Sequence, residues 1–241
     1  RPEGTPGIVR AYLENQLYLK FPISKFFYSG QMFRYERPQE GRYREFYQIG
    51  CEYFGNAHSV ADAEVIFIAR EILNSIGLKN TIIELNSLGC TNCRTEYRQT
   101  LFEFLNTYKQ QLCENCNKRL EKNPLRTLDC KIDKPKLTAF NVPTIDKFLC
   151  AECLNHFNQL KVLLENSNIK YNFNPLLVRG LDYYTRTVFE ISIPGSDAIA
   201  AGGRYDNLIK QLGGKDTPAV GFAIGTDRTV EVLQQRIDNR D

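Results

Sequence analysis

Four arginines, Arg34, Arg37, Arg42 and Arg44, crowd one short stretch that also carries Glu36, Glu40 and Glu45. A guanidinium is planar, always charged and forked, so it suits phosphate oxygens better than an ammonium does. The same charges would also protect a solvated hairpin edge. Further along, Arg179 stands beside Gly180 and is followed by Leu181, Asp182, Tyr183 and Tyr184; a glycine permits close backbone approach by a ligand. Gly202 and Gly203 precede Arg204 and Tyr205 at an expected helix entry, where backbone N–H groups face an anion, although a double glycine read alone is a turn. Gly221 and Gly225 bracket a short apolar run and deliver Arg228 to the head of a helix, where the plainer reading is a surface arginine. Six of the eight cysteines form three C-x-x-C pairs, which in a chain of this length favours metal over a disulfide framework, with both readings open until the redox state is known.

These groups need a frame. Aromatic and polar residues alternate through 31–37, a Pro/Gly-bearing loop occupies 38–41, and alternation resumes over 44–54, which predicts a hairpin. With side chains alternating across each strand, Arg34 and Glu36 share one face, and Gln48 and Glu52 share a face of the partner strand. Residues 59–76 read as an amphipathic helix entered through Ser59-x-x-Asp62 and stopped at Gly77. A short buried strand is expected over 81–85. From Cys90 to Cys153 the composition changes to cysteines, lysines and Pro-containing connections. Two helical spacings run through this stretch, Tyr97, Leu101, Phe104, Leu105, Tyr108, Leu112 and then Leu154, Phe157, Leu160, Leu164. After Pro175, strands are expected at 176–179, 184–193 and 220–224, with a helix-like stretch to Leu212 and a terminal helix after Asp227 and Arg228. The pattern predicts an α+β fold divided as 1–88 (core, first part), 89–172 (mostly helical, cysteine-rich insertion) and 173–241 (core, second part).

The chain has 241 residues, 42% hydrophobic and 24% charged, with a net charge of +3. That composition excludes disorder as a main theme, and no overall field argues for nucleic acid or membrane. No apolar run approaches the roughly 20 residues of a membrane span, and the opening residues hold no signal core, so no membrane partner is expected and the reading is cytoplasmic. The only methionine is Met32, and the abrupt start reads as a piece of something longer.

Taken together, Glu3-Gly4-Thr5, the hairpin from Phe33-Arg34 through Arg42-Tyr43-Arg44-Glu45-Phe46-Tyr47-Gln48, the run Val178-Arg179-Gly180-Leu181-Asp182-Tyr183-Tyr184-Thr185, Ala201-Gly202-Gly203-Arg204-Tyr205-Asp206, and Gly221-Phe222-Ala223-Ile224-Gly225 through Arg228 resemble the histidyl-tRNA synthetases, a class II aminoacyl-tRNA synthetase family. The resemblance covers essentially the whole chain in order. Thr226-Asp227-Arg228 departs from it, because the family usually carries a hydrophobic residue and glutamate before this arginine. The resemblance implies a class II synthetase-like antiparallel sheet flanked by helices. It implies histidine activation with ATP and Mg²⁺ to histidyl-adenylate, then transfer to the 3′ end of tRNA by a homodimeric enzyme. Glu3, Gly4, Thr5, Gln48 and Glu52 would orient the histidine, and Tyr183, Tyr184 and Tyr205 would wall its imidazole. Arg34 and Arg179 would hold the α-phosphate of ATP from opposite sides and Arg228 the γ-phosphate, with Glu36 beside the nucleotide. The dimer-forming motif would precede Arg1 and an anticodon-binding domain would follow Asp241. His58 and His156 have no role on this reading. The alternatives are a histidine-binding regulatory paralogue, which would not need three phosphate arginines, and a zinc-dependent RNA-binding module, which leaves two thirds of the chain unexplained.

Cys90-x-x-Cys93 and Cys113-x-x-Cys116 match a zinc-ribbon spacing, but residues 94–112 read as one helix about 28 Å long, and one tetrahedral zinc cannot hold both ends. The expectation is a structural Zn²⁺ on Cys113, Cys116, Cys150 and Cys153, with Cys130 as a substitute ligand. The rival set is Cys90, Cys93, Cys150 and Cys153, and the plain alternative is reduced, partly buried thiols. Lys118, Arg119, Arg126 and Lys131 are expected to meet tRNA phosphates.

Overall fold

The computed structural model describes residues 1–35 and 43–238. Its elements, in chain order, are α1 (Thr5–Glu14), α2 (Leu17–Lys20), β1 (Ser24–Phe33), β2 (Glu45–Phe54), α3 (Ser59–Ser75), β3 (Ile82–Ser87), α4 (Thr91–Thr107), α5 (Glu114–Lys122), α6 (Lys134–Ala139), α7 (Ala151–Asn166), β4 (Asn172–Phe173), β5 (Thr185–Ser192), β6 (Ala200–Arg204), α8 (Leu208–Gln211), β7 (Ala219–Gly225) and α9 (Thr226–Asp238). The seven strands form one sheet in the order β1-β2-β7-β6-β5-β3-β4. Every neighbouring pair is antiparallel except β3 and β4. The expectation of an α+β fold with an antiparallel sheet flanked by helices is met.

Period-two alternation sets the hairpin. Ser24, Tyr28 and Met32 of β1 are buried while Lys25, Phe27 and Ser29 are exposed, and the strand starts seven residues before the alternation noticed in the sequence. The tip, with Glu36, Arg37, Glu40 and Arg42, lies outside the described residues.

A core lies on each face of the sheet. On one, α3 presents Val65, Ile66, Ala69 and Leu73, and α7 presents Phe157, Leu160 and Leu164, to Tyr53, Phe222, Phe189 and Ile191. On the other, Val9 and Tyr12 of α1 join Phe54, Val188, Tyr184 and Tyr205, continuous with Leu101, Leu105, Leu120 and Leu137 of the helices between β3 and β4. Gly77, at φ +92°, stops α3 as expected, with Leu78 N–H donating to Leu73 O.

Four local expectations are corrected. Asp62 does not cap α3; His58 is the N-cap and Asp62 is fully buried against Arg204. Residues 176–179 form no strand: Asn174 turns the chain there, its backbone O accepting from Leu177 N–H and its Oδ1 from Leu176 N–H, both at 3.0 Å, and the Asn86 amide takes Leu177 O at 2.9 Å. Gly202 and Gly203 do not open a helix; they belong to β6 and their backbone is used in the sheet. The long helix ends at Thr107, and a short 3₁₀ turn, Lys109–Gln111, carries the chain onward.

Candidate active site

Ladder partners point to the same face of a sheet, so the pairings define a floor. One row runs Tyr28, Gly50, Ala223, Ala201, Glu190, and the next runs Phe26, Glu52, Gly221, Gly203, Val188. A third adds Gly30, Gln48 and Gly225. Glycines and alanines line the middle strands of this face, while Gln48, Glu52, Glu190 and Tyr28 supply the tall groups. The result is a shallow groove with polar posts. A Cβ on Gly221 would lie 1.9 Å from Glu52 Oε2, and one on Gly50 would lie 2.4 Å from Tyr28 Cζ. The small residues are therefore required by their neighbours' positions.

Glu52 is the centre of the polar end. It is fully buried, accepts a hydrogen bond from Thr5 Oγ1 at 2.6 Å, and accepts another from the Tyr205 hydroxyl. Burial pushes its carboxyl up to about 8, against the pull of those two hydrogen bonds and with the help of the nearby Glu3. The Tyr183 hydroxyl donates to Glu3 Oε2 at 2.8 Å. Rings of Tyr183, Tyr184 and Tyr205 meet one another, with centroids 4.9, 5.7 and 6.4 Å apart. Burial raises the phenols of Tyr28, Tyr183 and Tyr205 further above their usual value, so they stay neutral donors. Two acids with neutral phenols around them, one whose ionised form is disfavoured by burial until a counter-charge arrives, form a pocket suited to a small cation.

The segment before α1 belongs to this pocket. Gly4 lies against Tyr28, where a Cβ would approach its Cε2 to 2.2 Å, and Gly4 N-caps α1 without a side chain. The loop is also tied to the hairpin, since Arg34 Nε donates to Pro2 O at 2.8 Å and Phe33 N–H to Arg1 O at 2.8 Å. Arg179 forms an ion pair with Glu190 on the groove floor. Arg228 occupies the first turn of α9, directly after Gly225, whose ladder partner is Gln48, and its Nη1 donates to Ala198 O at 2.8 Å. Asp227 reaches the hairpin, its Oδ2 accepting from Tyr47 N–H at 2.7 Å.

Sequence reasoning missed Tyr28 and Glu190. Glu190 had a signal, because it is an acid in an otherwise apolar and β-branched stretch of β5 and shares the groove face. Tyr28 had none, because its role follows from Gly4 and Gly50 approaching it from two different elements. Arg204, which lies within a run singled out by the sequence, is wholly buried and pairs with Asp62, Asp206 and the carbonyls of Asn56 and His58. His156 Nε2 lies 3.4 Å from Asp62 Oδ2. Both are framework residues beneath the floor.

The cysteines assemble differently from the favoured expectation. Cys90, Cys93, Cys150 and Cys153 come together, and Cys113, Cys116 and Cys130 come together with Asp133. The quartet Cys113, Cys116, Cys150 and Cys153 does not form, because Cys150 N–H donates to Cys93 Sγ at 3.2 Å and docks the start of α7 on the start of α4. Of the four basic residues expected to meet tRNA, three have intrachain partners: Lys118 pairs with Glu114, Lys131 with Asp197, and Arg119 donates to Arg126 O. A cavity of about 330 Å³ opens beside Tyr184 and Arg179 and is lined also by Arg94, Arg98 and Arg126. Among the described residues no helix is long and apolar enough to cross a membrane.

Residues 1–229 match a family model described as histidyl-tRNA synthetase. The histidine–tRNA ligase of Elusimicrobium minutum is 54% identical over 242 residues, covering all of this chain and 58% of the relative; that of Aquifex aeolicus is 50% identical, covering 97% and 58%. The crystal structure of apo Staphylococcus aureus histidyl-tRNA synthetase superposes with a TM-score of 0.77 at 33% identity, covering 98% of this chain and 57% of that one. The chain thus spans little more than half the length of the relatives it matches.

Proposed function

The chain belongs to the histidyl-tRNA synthetase family, and from that premise we propose that it is the histidine-activating core of a cytoplasmic, homodimeric histidine–tRNA ligase. The observation that carries the reading is the buried Glu52, joined by Thr5 and Tyr205 at one end of a glycine- and alanine-floored groove whose post Glu190 pairs with Arg179 and whose opening loop is held by Arg34 at Pro2 O. Glu3 and Glu52 neutralise the ammonium of histidine, Gly4 holds the loop close, and Gln48 accepts from the substrate beside them. Tyr183, Tyr184 and Tyr205 enclose the imidazole with neutral hydroxyls, so a ring without nitrogen leaves those groups unpaired and binds poorly.

Arg34 and Arg179 hold the α-phosphate, and Arg228 holds the γ-phosphate at the end of β7. A histidine carboxylate oxygen attacks the α-phosphorus in line; the new O–P bond forms as the bond to the bridging oxygen breaks, and pyrophosphate leaves. No side-chain nucleophile is needed, because the substrate supplies its own. Catalysis is positioning and charge stabilisation by fixed guanidinium groups. Asp227 and Glu231, whose carboxylates face Tyr47 and Tyr43 on the hairpin side, are the acids that would hold a Mg²⁺ ion, which prefers carboxylate and phosphate oxygens. When bound, the ion would supply neutralisation of the phosphate charge. In the second step a ribose hydroxyl of the terminal adenosine of tRNA attacks the activated carbonyl and AMP leaves. Arg94, Arg98 and Arg126 at the cavity beside Arg179 and Tyr184 support entry of that strand from the insertion side. The division into 1–88, 89–172 and 173–241 is part of this proposal, with α7 of the middle part packing on α3 of the first.

The test is exchange of pyrophosphate into ATP by the full-length protein. Exchange that requires histidine is expected. Histidine binding without exchange would point to a regulatory paralogue, and neither would leave only RNA binding.

A further inference from the structure

We propose that the chain binds two structural zinc ions, one on Cys90, Cys93, Cys150 and Cys153 and the other on Cys113, Cys116, Cys130 and Asp133. Within each group all four ligand atoms lie within 4.8 Å of one another. A tetrahedral zinc with Zn–S bonds of about 2.3 Å sets its sulfurs about 3.8 Å apart, and the Sγ–Sγ distances are 3.6 Å for Cys90 and Cys93 and 3.8 Å for Cys113 and Cys130. A disulfide needs about 2.0 Å, and all eight cysteines are free.

Thiolate ligands also need donors around them. Cys90, Cys113 and Cys150 are the N-caps of α4, α5 and α7, so each C-x-x-C pair straddles the positive end of a helix. Cys116 N–H donates to Cys113 Sγ at 3.5 Å, and Cys150 N–H to Cys93 Sγ at 3.2 Å. Asp133 is fully buried, with Cys113 N–H donating to its Oδ2 at 2.9 Å and Lys136 Nζ to its Oδ1 at 3.2 Å. A buried carboxylate among three sulfurs has the donor chemistry of a fourth ligand.

The two ions do different work. The second closes the segment around α5 and α6, helices of nine and six residues, which bury little and gain most from a metal staple. The first pins the start of α7 to the start of α4, where the chain leaves the sheet after β3. Gly89, next to Cys90, accepts from Arg186 N–H at 2.8 Å, and Leu88 N–H donates to Arg186 O at 2.6 Å, at the register shift in β5 that directly follows Tyr183 and Tyr184. Arg186, at φ +49°, reaches Glu152 in α7.

The test is metal analysis of the full-length protein purified with reductant and without added metal. Two zinc ions per chain are expected, both released by a mercurial reagent and counted with a colorimetric chelator. Cys153→Ser and Cys130→Ser should each retain one. X-ray absorption at the zinc edge should find three sulfurs and one oxygen in the first variant and four sulfurs in the second. Fewer than two ions in the wild-type protein, or seven cysteines of these groups reacting at once with a thiol reagent without zinc release, would overturn the proposal even if neither variant folds.

Discussion

The Tyr183 hydroxyl donates to Glu3 at 2.8 Å, joining residues 180 positions apart in the chain. The bond links the loop before α1 to the segment entering β5, and it sets a polar lid over the end of the groove where Glu52 is buried. Replacing Tyr183 by Phe removes the hydroxyl and leaves the ring. The histidine KM in pyrophosphate exchange should rise roughly tenfold or more, because Glu3 loses its partner and the imidazole loses a donor. The ATP KM should stay put. Equal changes in both would contradict the assignment of Tyr183 to the amino-acid end.

Glu52 gives a pH signature. Its carboxyl is pushed up to about 8 by burial from an ordinary value of 4.5. Between those values the folded chain holds one proton more than the unfolded chain, so this group's contribution is greatest below the lower value and is lost as pH rises through the upper one, by up to about 1.4 kcal/mol per pH unit. Glu52→Gln should flatten that decline in urea unfolding measured at several pH values, while histidine binding is lost. An unchanged slope would show that Glu52 is already ionised in the folded state.

Gly221 stands under Glu52, and a Cβ there would meet Oε2 at 1.9 Å and Cys51 O at 2.6 Å. Gly221→Ala must displace the carboxylate or the strand. The expected outcome is at least a tenfold rise in histidine KM, about 1.4 kcal/mol, with helical content by circular dichroism preserved. Normal KM would mean the floor has slack that the packing denies.

The Arg204–Asp62 pair lies under the site and is wholly buried. Removing the guanidinium by Arg204→Met leaves Asp62 without its main counter-charge, although His156 remains nearby. The loss should be about 3–5 kcal/mol. Adding Asp62→Asn should recover part of it, and denaturant unfolding of the two variants measures the recovery. No recovery would mean that packing at Arg204 outweighs its charge.

Much of the site was legible because its residues sit in compact runs of unusual composition. Arg179 with Gly180 and the paired tyrosines, the double glycine before Tyr205, and the acid-and-threonine opening all carry chemistry in their order. What escaped depends on partners distant in the chain. The apolar run at 176–179 has the composition of a strand, yet Asn86 claims its Leu177 carbonyl from 91 residues away, and Asn174 turns the chain at its start. Gly202 and Gly203 look like a turn, and it is Gly221 and Phe189 packing onto Gly202 that make a strand there. The cysteine spacings showed that metal ligation was open and that one helix must separate two of the pairs. They carried no information on which helix start docks with which, and Cys150 meeting Cys93 decides that.

The central claim is that Glu3, Glu52 and the three tyrosines receive histidine while Arg34, Arg179 and Arg228 receive one nucleotide. A crystal structure of the full-length protein with histidine and ATP tests it most directly. The account predicts the amino-acid ammonium at Glu52, the imidazole among Tyr183, Tyr184 and Tyr205, and the α-phosphate between Arg34 and Arg179. Histidine or the triphosphate bound instead in the cavity of Arg94 and Arg98, away from Glu52, would contradict it.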